Sequence, residues 1–299
     1  MNENKKYVVI SGCSFSGNSG GSKNHGNISW SYYFKDLIET DDVKVEIVAV
    51  PGVGNFIIYM NCMSMVNTLI KQGVDPKNIF VITQWSGLFR PTHYYDGSGH
   101  KSRDIRRAFY FDMDSNFGIK SAQIKAGLKF ITGLGTKYWD SFTPYYNTSQ
   151  AFMETLNDIL KLQWYLKSVK VKYKMFTGWD IFTIPKNNWS EGKSFGASHM
   201  LRPQQFAEKD EYENKENKIL SEVYPVLGVF WDMIDFKNFW FFENEKVKYG
   251  GLTQWTQNTF EDYRFWYLSF PHDVHPSNDA AEKFANEVML DLYNQMLGS

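Results

Sequence analysis

The sequence is short of cysteine, of net charge and of long apolar runs, and each shortage excludes a class of protein. Two cysteines, Cys13 and Cys62, among 299 residues make no disulfide framework and point to a reduced compartment. Lysine and arginine number 32 against 33 aspartate and glutamate, a net charge of −1, so there is no electrostatic footprint for nucleic acid or an anionic membrane surface. No apolar stretch approaches the roughly 20 residues that a membrane-spanning helix needs. The opening Met1-Asn2-Glu3-Asn4-Lys5-Lys6 leads directly into an apolar segment with no signal-peptide pattern, so a soluble, cytoplasmic protein is expected. Internal repeats and low-complexity tails are also missing. What the chain has in quantity is hydrophobic residues, at 43%, and aromatic ones, at 17%, enough to build a sizeable core.

The apolar β-branched run Tyr7–Ser11 has the pattern of a buried parallel strand and runs into the glycine turn Gly12-Cys13-Ser14-Phe15. Residues 30–39, apolar at 30, 33, 34, 37 and 38, read as a helix, and Val43–Val50 as a second strand. A second glycine turn, Pro51-Gly52-Val53-Gly54-Asn55, opens a helix to about Lys71, and Ile79–Thr83 is a third strand ending in Gln84-Trp85-Ser86. Strand, helix, strand, helix, strand at this spacing predicts an α/β fold: a three-layer α/β/α sandwich on a parallel sheet of about five strands. Ser149–Lys167 returns to helical spacing, Lys170–Trp179 reads as the fourth strand, and a last helix runs from about Asp279 to Met296 with Ser277 or Asn278 as N-cap. Periodicity is lost over about 91–147 and 180–261, read as two insertions in a single domain spanning 1–299. The first carries the basic cluster Arg103, Arg106 and Arg107. The second holds a helix-compatible stretch, Ala207–Leu220, and the aromatic patch Phe230-Trp231 and Phe239–Phe242, either a subdomain core or a cleft wall.

Two glycine motifs fail as nucleotide sites. Gly12–Ser19 matches a phosphate-binding loop except that Asn18 stands where the lysine belongs, and Gly20-Gly21-Ser22 continues as loop where a helix is required. Gly52-Val53-Gly54 lacks the third glycine of a dinucleotide fingerprint, since Ile57 holds its place. The remaining constellation is Ser14, at the carboxyl edge of the first strand, and Asp273-Val274-His275-Pro276 just before the last helix. Serine hydrolysis needs a nucleophile, an imidazole base, an acceptor that orients the base and donors for the oxyanion. Ser14, His275 and Asp273 can fill the first three roles. Gly54 or Asn55 can offer a backbone N–H, and Asn55 or Gln84 a side-chain amide. His272 and His275 with Asp273 could instead begin a metal site, although the other histidines are scattered through loops.

The arrangement resembles the SGNH (GDSL) hydrolase family of esterases, lipases and carbohydrate deacetylases. Gly12-Cys13-Ser14-Phe15 stands where the family has Gly-Asp-Ser-Leu, Gly52-Val53-Gly54-Asn55 for its glycine block, Gln84-Trp85-Ser86 for its Gly-x-Asn-Asp, and Asp273-Val274-His275-Pro276 for its Asp-x-x-His. Cys13 replaces the family aspartate, the third block lacks the oxyanion asparagine, and the last block is one residue short, an ending similar to that of divergent, often phage-encoded members. The resemblance implies a flavodoxin-like α/β/α fold, no metal or organic cofactor, and a small ester or acylated carbohydrate as substrate. It equally admits an inactive scaffold acting as a carbohydrate-binding or virion-structural module, with other virion proteins or its own copies as partners.

Overall fold

A computed structural model describes residues 5–17, 28–88, 92–95, 107–110, 148–185, 217–269 and 273–298, with the backbone alone for 92–95, 107–110, 184–185, 264–265, 267–269 and 273–274. Most of the first insertion, Arg103 and Arg106, residues 207–216 and His272 lie outside that set, as does the Asn18–Ser19 end of the phosphate-loop motif.

The sheet is parallel and built from β1 (Lys6–Ser11), β2 (Val43–Ile47), β3 (Ile79–Trp85) and β4 (Lys172–Thr177), in the order β2-β1-β3-β4. Val8, Val9 and Ile10 of β1 and all seven residues of β3 are buried, because both faces of a parallel sheet are covered by helices. Helix α1 (Trp30–Ile38) lies on one face together with the closing helices α5 (Asn278–Phe284) and α6 (Leu290–Gly298), which are joined by a π-helical segment at Ala285–Met289. Helices α2 (Asn55–Lys71) and α3 (Thr148–Ser168) cover the other face, and α4 (Leu252–Thr259) lies beside the strand Asp273–Pro276. Right-handed crossovers dictate this split: the chain moves one way from β1 to β2 and the opposite way from β2 through β3 to β4. The order reverses between β1 and β3, so their carboxyl ends feed helices on opposite faces. The crevice where ligands bind in open α/β sheets therefore lies beside Ser14.

Four strands are described rather than about five. The missing edge strand is reduced to a single parallel bridge, Met175 with Phe239, reinforced by the Trp240 N–H on the Met175 carbonyl at 2.8 Å. The six positions expected on the apolar face of the last helix, Ala281, Phe284, Ala285, Val288, Met289 and Leu292, are all buried. Within the stretch expected to be helical, Asn217–Ile219 is instead a strand antiparallel to Thr183–Pro185, and Leu220–Val223 is one helical turn. A long-range strand partner overrides local helix propensity there. The aromatic patch of the second insertion is core: Phe182, fully buried, has the rings of Trp231, Phe236, Phe239, Phe241 and Tyr249 around it at centroid distances of 5.3–6.2 Å. Among the described residues no helix is long and apolar enough to cross a membrane.

Candidate active site

The chain leaves β1 through one tight helical turn. The Cys13 carbonyl accepts the N–H groups of Ser16 at 3.0 Å and Gly17 at 2.8 Å, which places Ser14 and Phe15 in the first positions of the turn, where backbone N–H groups have no acceptor inside it. Ser14 is half-buried at the surface of the turn. Helix α1 grips the turn from the side: the hydroxyls of Ser29 and Ser31 both donate to the Ser16 carbonyl, at 2.9 and 2.5 Å, and the Trp30 indole N–H reaches the Ser16 hydroxyl at 3.2 Å. Ser29 occupies the N-cap position of α1 yet makes no side-chain cap bond. Its hydroxyl serves the turn instead of the helix.

His275 comes from the other end of the chain. It sits on the strand Asp273–Pro276, paired antiparallel with Tyr267–Ser269. The next residues lock that strand to α5: the Ser277 N–H donates to the Trp266 carbonyl at 2.7 Å, and the Ser277 hydroxyl caps the helix at the Ala280 N–H, 3.3 Å away. Asn278 then bridges the two helix starts, its Oδ1 accepting the Ile28 N–H at 2.9 Å. The imidazole lies against the Phe15 ring, with centroids 4.7 Å apart, and Phe15 in turn packs on Trp179 at 5.3 Å. In this position His275 Nε2 is 2.7 Å from Ser14 Oγ. Serine and imidazole are thus within the reach that proton transfer requires, and a small cavity of about 10 Å³, room for about one water, opens beside them between Phe15, Trp30, Pro276 and Ala281. The side chain of Asp273, the expected acceptor, lies outside the described residues.

The amides expected to bind an oxyanion are engaged elsewhere. Asn55, nearly fully buried at the start of α2, accepts the Ser86 N–H at 2.8 Å, and both hydrogens of its amide are used: one on the Ser86 carbonyl at 3.3 Å, the other on Thr155 Oγ1 at 3.1 Å. It ties the end of β3 to α2 and α3. Gln84 is fully buried, its Nε2 donating to the Trp85 carbonyl at 2.5 Å and its Oε1 turned under the Ser14 turn. The physical reason is that β3 runs two residues further than its apolar run, so Gln84 is a strand residue facing the interior rather than a loop residue facing the cleft. Gly54 is the N-cap of α2, and Gly52, at φ +77°, adopts the left-handed conformation that turns the chain toward it. None of Gly54, Asn55 or Gln84 borders the cavity beside Ser14.

The two cysteines are both buried. Cys13 is fully enclosed, its thiol donating to Gln84 Oε1 at 3.4 Å, so it offers no second nucleophile beside Ser14. Burial pushes the Cys62 thiol up to about 12, so it stays protonated at neutral pH.

No family model matches the chain, and no curated protein matches it. Among solved structures, the crystal structure of the Bacillus subtilis protein YxiM is similar at 9% identity and a TM-score of 0.44, over 98% of this chain and 57% of that one. The chain thus spans little more than half the length of YxiM.

Proposed function

We propose that this chain is a serine hydrolase of the SGNH (GDSL) type, cleaving an acyl ester or a carbohydrate O-acetyl group through an acyl-enzyme on Ser14. The observation that carries the reading is the 2.7 Å contact between Ser14 Oγ and His275 Nε2, made between residues 261 positions apart at the sheet's switch point. Structural packing alone gives no reason to aim an imidazole at a hydroxyl on a half-buried turn. In the proposed reaction, His275 Nε2 takes the Ser14 proton as Oγ attacks the ester carbonyl. The imidazolium then returns that proton to the departing alcohol, leaving the acyl group on Oγ. Water, deprotonated by the same nitrogen, releases the acid and restores Ser14. Asp273, two residues before His275, is assigned the orienting acceptor's role. The oxyanion is assigned to the backbone N–H of Ser14, with the backbone N–H of Gly54 or Asn55 as the second donor, since the side-chain amides of Asn55 and Gln84 are engaged elsewhere.

The engagement of both expected oxyanion amides favours a second reading, a carbohydrate-binding or virion-structural module on the same scaffold. Labelling with a fluorophosphonate probe separates the two. A hydrolase is labelled at Ser14, loses the label in Ser14→Ala and His275→Ala, and hydrolyses p-nitrophenyl acetate in parallel with labelling. Equal and negligible labelling of wild type and Ser14→Ala, with no ester turnover, gives the answer to the binding module.

A further inference from the structure

A glutamine inside an apolar, fully buried strand is costly unless its whole amide is satisfied. Gln84 meets that demand with its oxygen turned toward the nucleophile and its nitrogen held by its own strand. Its Oε1 receives the Cys13 N–H at 3.2 Å, the Ser16 hydroxyl at 3.0 Å and the Cys13 thiol at 3.4 Å, while Nε2 donates to the Trp85 carbonyl in its own strand. Room for the amide is made by two glycines from neighbouring strand ends. A Cβ on Gly12 would stand 2.9 Å from Oε1, and one on Gly178 would stand 2.9 Å from Nε2. Three donors from the Ser14 turn on one buried oxygen, in a slot that two glycines keep open, is more than packing requires.

We propose that Gln84 is a positioning residue of this site. By holding the Cys13 N–H it fixes the peptide that enters the turn, and by holding the Ser16 hydroxyl it fixes the residue that leaves it. Ser14 lies between the two, so Gln84 determines where Ser14 Oγ stands relative to His275 Nε2. The kinetic consequence rests on the hydrolase reading; the geometric one does not. A displacement of about 1 Å at a reacting atom costs on the order of 10²-fold in rate.

The test uses Gln84→Met, which keeps the volume and removes both polar ends. The expected result is a cooperative thermal transition, KM for p-nitrophenyl acetate within about 2-fold of wild type, and kcat and fluorophosphonate labelling lowered by roughly 10- to 100-fold. In a His275→Ala background the same substitution should cost less than about 2-fold, because a residue acting through the Ser14–His275 contact has nothing left to position. Equal losses in both backgrounds, or wild-type kcat in Gln84→Met, overturn the proposal. If wild type itself is neither labelled nor active, the hydrolase reading falls but the positioning claim is still decided by the ¹⁵N chemical shifts of the His275 ring. Ser14→Ala sets the shift for a lost contact; Gln84→Met should move the signals the same way, and unmoved signals refute the claim. Should Gln84→Met not fold, Gln84→Glu, which keeps the acceptor toward Cys13 and Ser16 and loses only the Nε2 donor, should hold kcat and labelling within about 3-fold of wild type, and a loss of about 10-fold or more overturns the proposal; failure of both to fold assigns the residue to stability and overturns the proposal.

Discussion

Removing the Asn55 side chain should damage the fold and spare the chemistry. In Asn55→Ala the Ser86 N–H, the Ser86 carbonyl and Thr155 Oγ1 all lose the partner that now sits 2.8–3.3 Å away, at a strand end where Ser86 is fully buried. At about 1 kcal/mol per lost hydrogen bond, and more where a buried group is stranded, the three sum to roughly 3–5 kcal/mol. For a chain of this size that corresponds to a fall in Tm of about 5–8 °C. The assay pairs thermal unfolding followed by circular dichroism with ester hydrolysis measured well below the variant's own transition. The expected result is a large loss of Tm with kcat, per folded molecule, within about 3-fold of wild type, whereas losing an oxyanion donor costs on the order of 10²-fold. An unchanged Tm with kcat down by about 10²-fold would refute the reasoning and restore Asn55 as an oxyanion donor.

Burial pushes the Asp158 carboxyl on α3 up to about 7, with Lys161 at 3.4 Å drawing it partly back. Since the ordinary value is 3.8, the folded chain holds a proton that the unfolded chain has lost between about pH 4 and 7; stability therefore falls as pH rises through that window and is flat above it. Asp158→Asn should erase this component of the slope and raise Tm at pH 8 by about 3–8 °C, a gain of at most about 4 kcal/mol; identical pH–Tm curves for the two proteins would rule it out. Replacing Ser29 and Ser31 together by alanine releases the Ser16 carbonyl and should slow fluorophosphonate labelling by about 10-fold, measured as a pseudo-first-order rate. Gly251→Ala would drive a Cβ onto the Thr177 carbonyl and to within 2.7 Å of the Trp179 N, so it should destabilise by roughly 3 kcal/mol in urea unfolding; a neutral result would mean that the close approach of Gly251 to the end of β4 is not tight.

The parts of the fold legible in the sequence are those where one periodicity runs unbroken. The β-branched cores of β1 and β3 and the apolar faces of α2 and the last helix stand where their spacing puts them, as does that of α1 apart from Leu37, which is exposed. The pairing of Ser14 with His275 was legible for a chemical reason, a serine after the first strand and an Asp-x-His-Pro before the last helix. Gln84 was not. The apolar run stops at Thr83, whereas strand pairing with Lys172–Thr177 continues through Trp85, and a buried amide carries no hydrophobic signature. Asn55 was misplaced for a similar reason: its position after a glycine turn suggested a donor facing the cleft, and only the three-dimensional partners Ser86 and Thr155 show where the amide turns. The expected count of about five strands exceeds the four described because the segment beside β4 contributes a single bridge at Phe239, too short to be a strand.

The link between Ile28 and Asn278 joins segments 250 residues apart, and the Ser14–His275 contact joins segments 261 apart. During synthesis at about 5–20 residues per second, a ribosome needs on the order of 10–50 s to travel from the serine codon to the histidine codon. All four parallel strands are complete by Thr177, so the sheet can form while the hydroxyl still has no base beside it. Until α5 and α6 dock, Ser14 of the nascent chain has no imidazole beside it. Under the proposed hydrolase function the docked C-terminal segment is an on–off element: partial detachment of those last helices, with the sheet intact, would separate the imidazole from the hydroxyl without any change at Ser14 itself.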